Sequence, residues 1–348
     1  MAPSPQLEGK VVLVTGATGS FGNAFVARLL AEHKPAAIRL YSRDELKQYD
    51  VSRRFGADPR LRFLLGDVRD LPRLSMATRG VDVIVHAAAL KQVPACEYNP
   101  FEAVQTNVTG AQNIVTAAIE NDVPLTLALS TDKAVNPVNL YGATKLCAEK
   151  IFTQGNAYAA ESQAKFANVR YGNVVGSRGS VVPLFKAQAA QGVVTITDER
   201  MTRFWLTLAQ AVDIVVDALE RLGGGETFVP RIPSMRVTDM AEALAPDAER
   251  RAIGVRPGEK LHEVLITEDE SHHSFETDSG FVILPEYASW ELKEVEGGRR
   301  LPEGFRFASD NNDWWMSVDD LREMTREEPI PRALDVAAVP PLDDAPSP

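Results

Sequence analysis

Two pairs of side chains in the middle of the chain are suited to moving protons. Tyr141 and Lys145 are four residues apart, so a helix would place both on one face, one turn from each other. A lysine ammonium group held there favours the phenolate form of the tyrosine, which can take a proton from a hydroxyl while a hydride leaves the same carbon. Asp132 and Lys133 end an apolar run just upstream and supply a second acid–base pair. Two such pairs indicate a reaction with more steps than simple alcohol oxidation.

Hydride chemistry requires a nicotinamide cofactor, and the N-terminal sequence has the pattern of a dinucleotide site. A buried strand is predicted at residues 11–14, and an amphipathic helix follows the segment TGATGSFG at residues 15–22. Glycines at these spacings allow a tight turn, a close approach of pyrophosphate to the backbone, and close packing of helix against strand. The helix N-terminus would then face the phosphates. The predicted cofactor contacts are Gly16, Thr18, Gly19, Ser20, Phe21 and Gly22.

The second predicted strand, at residues 37–41, ends in a hydroxyl, a guanidinium and an acid. An acid at this place commonly binds the ribose hydroxyls of NAD. Here Ser42 and Arg43 come first, and Arg43 can stack on adenine and pair with a 2′-phosphate, with Lys47 one turn further on. We therefore predict NADP, tightly bound and recycled, whereas Asp44 leaves NAD open as the alternative.

The rest of the first half alternates between strand and helix patterns. Strands are predicted at residues 61–65, 83–85 and 125–129, and helices at 100–121 and 140–154. This alternation predicts an α/β protein with a Rossmann-type, doubly wound parallel sheet. The ends of these strands would add further cofactor contacts, namely Asp67, Val68, Ala87, Ala88 and Ala89.

Composition and charge narrow the class of protein. The chain has 348 residues, a formal net charge of −11 and a pI of about 5.1, which argue against a nucleic-acid-binding protein. Its two cysteines have neither metal-ligand spacing nor a disulfide framework, so we expect no metal site. Neither a membrane-spanning apolar run nor a signal-peptide core is present in the sequence. We therefore expect a cytoplasmic enzyme that does not bind membranes.

Several segments together resemble the extended short-chain dehydrogenase/reductases. More narrowly, they are similar to the soluble UDP-N-acetylglucosamine 4,6-dehydratases that invert C5, the first enzymes of the pseudaminic-acid pathway. The matching segments are TGATGSFG at 15–22, YSRDELKQ at 41–48, HAAALKQVPACEYNP at 86–100, STDKAVNPVNLYGATK at 130–145, VRYGNVVGSRGSVVPLF at 169–185, MTRFW at 201–205, RPGEKLHE at 256–263 and DLREM at 320–324. Glucose-type dehydratases carry Asp-Glu in place of Asp132-Lys133, and membrane-anchored relatives that retain the C5 configuration have methionine in place of Tyr141. The resemblance is therefore to the inverting branch.

The resemblance implies an internal redox cycle. Hydride passes from C4 of the sugar to NADP⁺ while Tyr141 takes the hydroxyl proton. Lys133 then removes the acidified C5 proton, because a desolvated lysine can have a usefully low pKa, and Asp132 protonates the departing 6-hydroxyl. Hydride returns to C6, and C5 is protonated from the opposite face. The roles of Asp132 and Lys133 could be exchanged.

The substrate would be a sugar nucleotide, which is an anion with a planar base. The resemblance implies UDP-N-acetylglucosamine, with Arg203 and Arg256 as clamps for its pyrophosphate. It also places Asn107 at the cofactor. The residues implied at the substrate are Lys91, Thr131, Asn173, Val182, Lys186, Thr195, Arg203, Arg256 and Glu259.

The predicted organisation is an NADP-binding Rossmann domain over residues 1–175, to which residues 205–235 return. A smaller C-terminal substrate-binding lobe takes residues 176–204 and 236–330, and a proline- and acid-rich disordered tail takes 331–348. A homo-oligomer, dimer or hexamer, is expected. Two alternatives stay open: a UDP-sugar epimerase or retaining dehydratase of the same fold, and a non-catalytic nucleotide-sensing protein. The second would tolerate loss of Tyr141 or Lys145, yet both are present.

Overall fold

The computed structural model describes residues 4–159, 161–177 and 181–327, so the tail predicted at 331–348 lies outside the described residues. The strands are β1 (Val11–Thr15), β2 (Ala37–Ser42), β3 (Leu61–Leu65), β4 (Val83–His86), β5 (Leu125–Leu129), β6 (Lys165–Val169), β7 (Asn173–Val174), β8 (Val193–Ile196), β9 (Thr202–Leu206), β10 (Thr227–Pro230), β11 (Ser234–Arg236), β12 (Glu249–Ala252), β13 (Val264–Ile266), β14 (Ser274–Thr277), β15 (Gly280–Ile283), β16 (Arg299–Arg300) and β17 (Phe307–Ala308). The α-helices are α1 (Ser20–Glu32), α2 (Glu45–Phe55), α3 (Leu71–Thr78), α4 (Val93–Tyr98), α5 (Pro100–Val104), α6 (Gly110–Glu120), α7 (Leu140–Tyr158), α8 (Val181–Ala189), α9 (Leu208–Arg221), α10 (Val237–Leu244), α11 (Glu268–Ser271) and α12 (Val318–Glu327). Within these described ranges, no helix is both long and apolar enough to cross a lipid bilayer.

A single large sheet forms the centre of the protein, in the strand order β16-β14-β15-β10-β6-β5-β4-β1-β2-β3. Every pair from β3 to β10 is parallel, and β1 lies between β2 and β4, which is the arrangement of a Rossmann fold. The predicted α/β class with a Rossmann-type sheet is confirmed. Beyond β10 the sheet continues as an antiparallel extension that the sequence analysis did not anticipate.

Helices cover both faces of the parallel part of the sheet. Alternate residues of β1 point to opposite faces, so Val12 and Val14 join a core with Phe25 of α1, whereas Leu13 joins the core that contains Phe152 of α7. All five side chains are fully buried. A parallel strand that is covered on both faces reads as a continuous apolar run, which explains why the sequence pattern identified β1.

Short polar side chains fix the starts of the helices that border the central cleft. The Asp44 carboxylate accepts a hydrogen bond from the backbone of Lys47 and so caps α2. The Asn139 amide oxygen accepts from the Gly142 backbone at 2.8 Å and so caps α7. Such caps satisfy donors that have no partner within the helix and typically stabilise it by about 0.5–2 kcal/mol.

Residues from the second half of the chain form a group of elements outside the main sheet, in the range predicted as the smaller lobe. It contains the short sheets β7-β9-β11 and β8-β12, with α8, α10 and α12 packed around Phe185, Trp205, Met235 and Leu321. The short sheet β13-β17 instead contributes Leu265, Ile266 and Phe307 to the core of the main sheet. Residues 274–300 belong to the range that the sequence assigned to this lobe, yet β14, β15 and β16 extend the main sheet. The predicted division of the chain into two lobes stays a proposal.

The helix predicted over residues 100–121 is interrupted. It forms as α5 and α6, joined by a π-helical turn at Gln105–Thr109. In that turn the Asn107 side chain forms hydrogen bonds with the Leu90 backbone and with the Thr144 hydroxyl. Single π-helical turns occur often at functional sites, where the extra residue re-aims a side chain.

Candidate active site

A cleft of about 620 Å³ opens at the carboxyl ends of the parallel strands. It lies where the strand order reverses, between β1 and β4, which is the usual ligand site of an open α/β sheet. Most residues expected at the cofactor line this cleft, together with six of those expected at the chemistry or the substrate. These lining residues are Gly16, Thr18, Gly19, Ser20, Phe21, Gly22, Ser42, Arg43, Lys47, Asp67, Val68, Ala87, Ala88, Ala89, Lys91, Thr131, Lys133, Tyr141, Lys145 and Asn173.

The glycine-rich loop leaves no room for side chains. Gly16 has a φ of +66°, and a Cβ there would lie 2.8 Å from the backbone nitrogen of Ala88. A Cβ on Gly22 would lie 2.5 Å from the Cα atom of Ala17. The backbone therefore forms a bare cradle at the start of α1, which fits a pyrophosphate group that approaches the first amides of a helix.

The end of β2 carries two cations and one acid. The Arg43 guanidinium is half-exposed and lies 3.8 Å from the Asp67 carboxylate, a loose pairing. The Asp44 carboxylate is already used, because it caps α2 and lies 2.8 Å from Lys47 Nζ. The Ser42 hydroxyl is 3.0 Å from the Thr18 hydroxyl, which ties the strand end to the glycine-rich loop.

Asp67, expected to bind the adenine amino group, is occupied by its neighbours. Its carboxylate accepts three hydrogen bonds from Arg69, at 2.7 to 3.0 Å. Burial alone would raise the pKa of Asp67, but these bonds and the charge of Arg43 hold it below its usual value. The Tyr41 hydroxyl donates to the Asp67 backbone oxygen at 2.9 Å, and a Cβ on Gly66 would collide with the Tyr41 ring. Tyr41 and Gly66 both line the cleft, and the sequence analysis did not identify them.

Asn107 acts differently from its expected role at the cofactor. Its side-chain amide oxygen accepts from Leu90 N at 2.8 Å, while its amide nitrogen donates to Leu90 O at 2.9 Å and to the Thr144 hydroxyl at 3.0 Å. The side chain is 2% exposed and ties the loop after β4 to α7. Its neighbour Thr106 lines the cleft instead, and in the described part of the chain the Thr106 hydroxyl is buried without a hydrogen-bond partner.

Tyr141 and Lys145 lie one turn apart on α7, as the spacing predicts. Burial raises the pKa of Tyr141 to about 12, although the charge of Lys133 and a hydrogen bond with Thr131 act in the opposite direction. Lys145 Nζ donates to the Leu129 backbone oxygen at 2.6 Å. Burial lowers the pKa of Lys145 to about 8, against the charge of Glu149. The cation that most favours the Tyr141 phenolate is therefore Lys133, rather than Lys145 as expected.

Asp132 and Lys133 form an ion pair on a 3₁₀ turn (Asp132–Ala134) that directly follows β5. Asp132 Oδ1 lies 3.0 Å from Lys133 Nζ and accepts from the Thr131 hydroxyl at 2.9 Å. The Asp132 side chain is fully buried, and this burial raises its pKa. Asp132 therefore lies behind Thr131 and Lys133, which are the groups that face the cleft.

Lys133 does not have the lowered pKa that its expected role as a base assumed. Burial would lower its pKa, but the carboxylates of Asp132 and Glu263 outweigh this effect and raise it. Glu263 Oε1 lies 3.3 Å from Lys133 Nζ, and the Asn173 amide oxygen lies 3.5 Å away. The expectation was wrong about the direction because it considered burial without the charge of the adjacent Asp132, to which Glu263 adds from a segment 130 residues later in the chain.

Arg203, expected to clamp pyrophosphate, is committed to the protein itself. Its guanidinium donates to the backbone oxygens of Thr202, Leu261 and Lys260, at 2.7 to 3.0 Å. Its side chain is 12% exposed. In this structure it therefore braces β9 against the segment before β13.

The other residues expected at the substrate lie outside the lining of the cleft. Val182 is fully buried in the core of the smaller lobe, and Thr195 is hydrogen-bonded to Gln188. Lys186 and Arg256 are exposed, and Glu259 is half-buried near the start of α7.

Tyr171 and Ser130 are cleft residues that the sequence analysis missed. The Tyr171 side chain is 8% exposed, and its burial together with the nearby Tyr141 raises its pKa. Among the described residues the buried Ser130 hydroxyl has no hydrogen-bond partner. Their positions at the ends of β5 and β6 could have indicated them, because the ends of parallel strands meet at one edge of a sheet.

Comparison with known proteins identifies the family. Residues 12–285 match the family model described as "Polysaccharide biosynthesis protein". A relative named "UDP-N-acetylglucosamine 4,6-dehydratase (inverting)", from Campylobacter jejuni subsp. jejuni serotype O:23/36 (strain 81-176), is 49% identical over 325 residues, which cover 91% of this chain and 97% of the relative. A relative named "UDP-glucose 4-epimerase", from Rickettsia conorii, is 44% identical over 75% of this chain and 79% of its own length.

Among solved structures, the chain is similar to Pen from Bacillus thuringiensis. The TM-score is 0.85 and the sequence identity 38%, over 92% of this chain and 98% of that one. The sheet order, the cleft and these similarities agree with one another. The chain belongs to the polysaccharide biosynthesis protein family, whose model covers it from residue 12 to residue 285.

Proposed function

We propose that the protein is an NADP-dependent UDP-N-acetylglucosamine 4,6-dehydratase that inverts C5. The observation that carries this proposal is the grouping of Tyr141 and Lys133 in one cleft, with Asp132 directly behind Lys133. Oxidation at one carbon needs one proton-handling group, whereas elimination of water needs a further base and a further acid. The relative from Campylobacter jejuni carries the name of this activity.

The glycine cradle fits the pyrophosphate of a dinucleotide, and Arg43 with Lys47 would hold the 2′-phosphate that distinguishes NADP from NAD. Support for NADP comes from Asp44, whose carboxylate is engaged by Lys47 and by the α2 backbone rather than free for a ribose hydroxyl. A bound nicotinamide would supply the hydride acceptor for C4 of the sugar and the hydride donor for C6. The residues of the chain handle the protons.

Tyr141 takes the proton from the 4-hydroxyl. The charge of Lys133 favours the phenolate that this step needs, and the Tyr141 hydroxyl is hydrogen-bonded to Thr131. Thr131 in turn donates to Asp132 Oδ1 at 2.9 Å, so that Tyr141, Thr131 and Asp132 form a continuous line of proton-carrying groups. The resulting 4-keto group makes the C5 proton acidic.

Lys133 takes the C5 proton after it has passed its own proton to Asp132, 3.0 Å away. The burial that raises the pKa of Asp132 makes its neutral form accessible. Asp132 then supplies the proton with which the 6-hydroxyl leaves as water, and Thr131, which faces the cleft, can pass it on. The proton that Tyr141 received from the 4-hydroxyl balances the one that C5 gains in the final step.

The test is to incubate the purified protein with UDP-N-acetylglucosamine and to measure the product mass. We expect a product lighter than the substrate by one water, with no net consumption of added NADPH. Lys133→Ala should lose the product, whereas Lys150→Ala, an exposed lysine on α7, is a matched control that should keep it. A product of unchanged mass would contradict the proposal.

A 4-epimerase is the second candidate, and the name of the Rickettsia conorii relative favours it. An epimerase shares the fold, the cofactor site and the Tyr141–Lys145 pair. It has no use for an acid–base pair that eliminates water, and the mass of its product equals that of its substrate. The same incubation therefore separates the two candidates.

A further inference from the structure

The segment that precedes β13 lies across the loop that leads into α7. Asn139, the cap of α7, donates its side-chain amide to Gly258 O at 2.8 Å. Two residues further along the segment, Lys260 Nζ donates to Val135 O at 2.5 Å. This segment thus holds the backbone between Lys133 and Tyr141 at two points.

A third contact of this segment reaches Lys133 itself. Glu263 Oε1 lies 3.3 Å from Lys133 Nζ, opposite Asp132 Oδ1 at 3.0 Å. The Glu263 side chain is 4% exposed, and its second oxygen, Oε2, is buried with no hydrogen-bond partner among the described residues. Arg203 Nε at 4.0 Å and Lys260 Nζ at 3.6 Å are the other cations near this carboxylate.

We propose that Glu263 is a positioning residue for Lys133, which it aims into the cleft and whose ammonium form it stabilises when C5 loses its proton. This inference rests on the proposed function for its catalytic meaning. In that step the C5–H bond breaks and an N–H bond forms on Lys133. The electron pair of the broken bond expels the 6-hydroxyl, which leaves as water with the proton from Asp132. Glu263 touches neither the sugar nor the cleft and acts only through Lys133.

The geometry favours this role over a purely structural one. Arg203 is satisfied by three backbone oxygens, and Lys260 by Val135 O, so neither cation needs Glu263 for its best hydrogen bonds. The shortest contact of the Glu263 carboxylate with a cation is the one to Lys133. The groups that face Lys133 are then Asp132 on its own turn, Glu263 and Lys260 before β13, Asn173 on β7, Tyr141 on α7 and Arg203 on β9.

The test measures the pKa of Lys133 directly in the substrate-free protein. Lysines are dimethylated with ¹³C-formaldehyde, the Lys133 signal is assigned with Lys133→Arg, and its titration is followed by NMR. Glu263→Gln should lower the pKa of Lys133 by about one unit or more, because an opposite charge at this distance typically shifts a pKa by 1–3 units. Glu263→Asp should restore part of the shift.

Kinetics provide the second readout. Glu263→Gln should lower kcat by about 10-fold or more, part of the roughly 10²- to 10⁴-fold that general acid–base catalysis contributes, with KM changed by less than about threefold. Glu270→Gln is the control, because it also removes a carboxylate paired with a buried cation, Arg170 at 2.9 Å, with 22% of its own side-chain area exposed and no described ion pair with Lys133. The control should leave the pKa of Lys133 unchanged.

The outcomes separate the inference from the function on which it rests. An unchanged pKa of Lys133 in Glu263→Gln overturns the positioning role, even if activity falls. If Glu263→Gln lowers the pKa of Lys133 but leaves kcat unchanged, the positioning by Glu263 does not contribute to the reaction. If the wild-type protein forms no dehydrated product but Glu263→Gln lowers the pKa of Lys133 as expected, the proposed function is wrong, whereas the electrostatic interaction of Glu263 with Lys133 is confirmed. If Glu263→Gln does not fold, the same criteria apply to Glu263→Asp, with a smaller expected shift.

Discussion

Replacement of Lys133 by methionine keeps the length of the side chain and removes its charge. The ammonium group lies 3.0 Å from the fully buried carboxylate of Asp132 and 3.3 Å from that of Glu263. With an effective dielectric constant of about 20, the Coulomb attraction at the shorter distance is about 5.5 kcal/mol, before the desolvation of both ions is subtracted. Lys133→Met therefore leaves two buried carboxylates without the cation between them.

The loss of stability that we expect for Lys133→Met lies at the lower end of the range usual for breaking a buried ion pair. Removal of one partner of a buried pair typically costs about 3–5 kcal/mol. Lys133 keeps 27% of its side-chain area exposed, and Arg203 and Lys260 still face Glu263, so we expect a loss of about 3 kcal/mol in the free energy of unfolding.

The pH dependence has a definite sign. Without Lys133, the pKa of Asp132 rises further above its unfolded value of about 4. A carboxyl group whose pKa is higher in the folded state loses stability as the pH rises from the unfolded pKa through the folded one. The free energy of unfolding of Lys133→Met should therefore fall further below that of the wild type as the pH rises from acidic to neutral.

Urea unfolding of the wild type, Lys133→Met, Asp132→Asn and the double variant forms a double-mutant cycle. We expect a coupling energy of about 2–3 kcal/mol near neutral pH, because the double variant no longer buries an unpaired Asp132 charge. Lys150→Met, an exposed lysine on α7, should change stability by less than about 0.5 kcal/mol. A coupling energy near zero, or a deficit that does not vary with pH, would refute the reasoning.

Three further predictions concern the cofactor site and α7, the helix that carries Tyr141 and Lys145. Arg43→Ala should weaken NADP binding by about 10-fold or more while NAD binding changes little, as measured by fluorescence titration; an equal loss for both would remove the argument for the 2′-phosphate. Tyr141→Phe should abolish the transient absorbance of reduced cofactor in stopped-flow mixing and lower kcat by at least about 10²-fold; a retained transient would assign the first proton to another group. Because the pKa of Lys145 is lowered to about 8, cofactor affinity should fall as the pH rises through that value, and Lys145→Arg should remove this step from the profile.

The sequence predicts β1 to β5 to within about one residue at each end, since each strand is a short apolar run between turn signals, but it does not predict the parallel strands β6 and β10. It also identifies the cleft residues that occur in contiguous motifs, such as the glycine-rich loop and the stretch from Thr131 to Lys145. These residues lie next to each other both in the chain and in space. Local patterns therefore suffice to find them.

Contacts between distant parts of the chain could not be predicted in this way. Asp132 raises the pKa of Lys133 against the effect of burial, and Glu263 adds to this from 130 residues away, where no local pattern could indicate it. Arg203 was assigned to pyrophosphate, yet the fold surrounds its guanidinium with backbone oxygens. The antiparallel extension of the sheet is of the same kind, because strand pairing beyond β10 depends on where residues 274–300 return.

In the proposed function, the protein oxidises C4 of the sugar, eliminates water across C5 and C6, and returns hydride to C6 with inversion at C5, all in one cleft. The most direct measurement is the reaction of UDP-N-acetylglucosamine in D₂O, followed by proton NMR and mass spectrometry from the earliest time points. We expect a 4-keto-6-deoxy product with deuterium at C5 and the ring couplings of the L-arabino configuration. Early spectra matter because a 4-keto sugar can epimerise in solution. A first product with the D-xylo configuration would contradict inversion, and a product of unchanged mass with an inverted C4 hydroxyl would contradict dehydration itself.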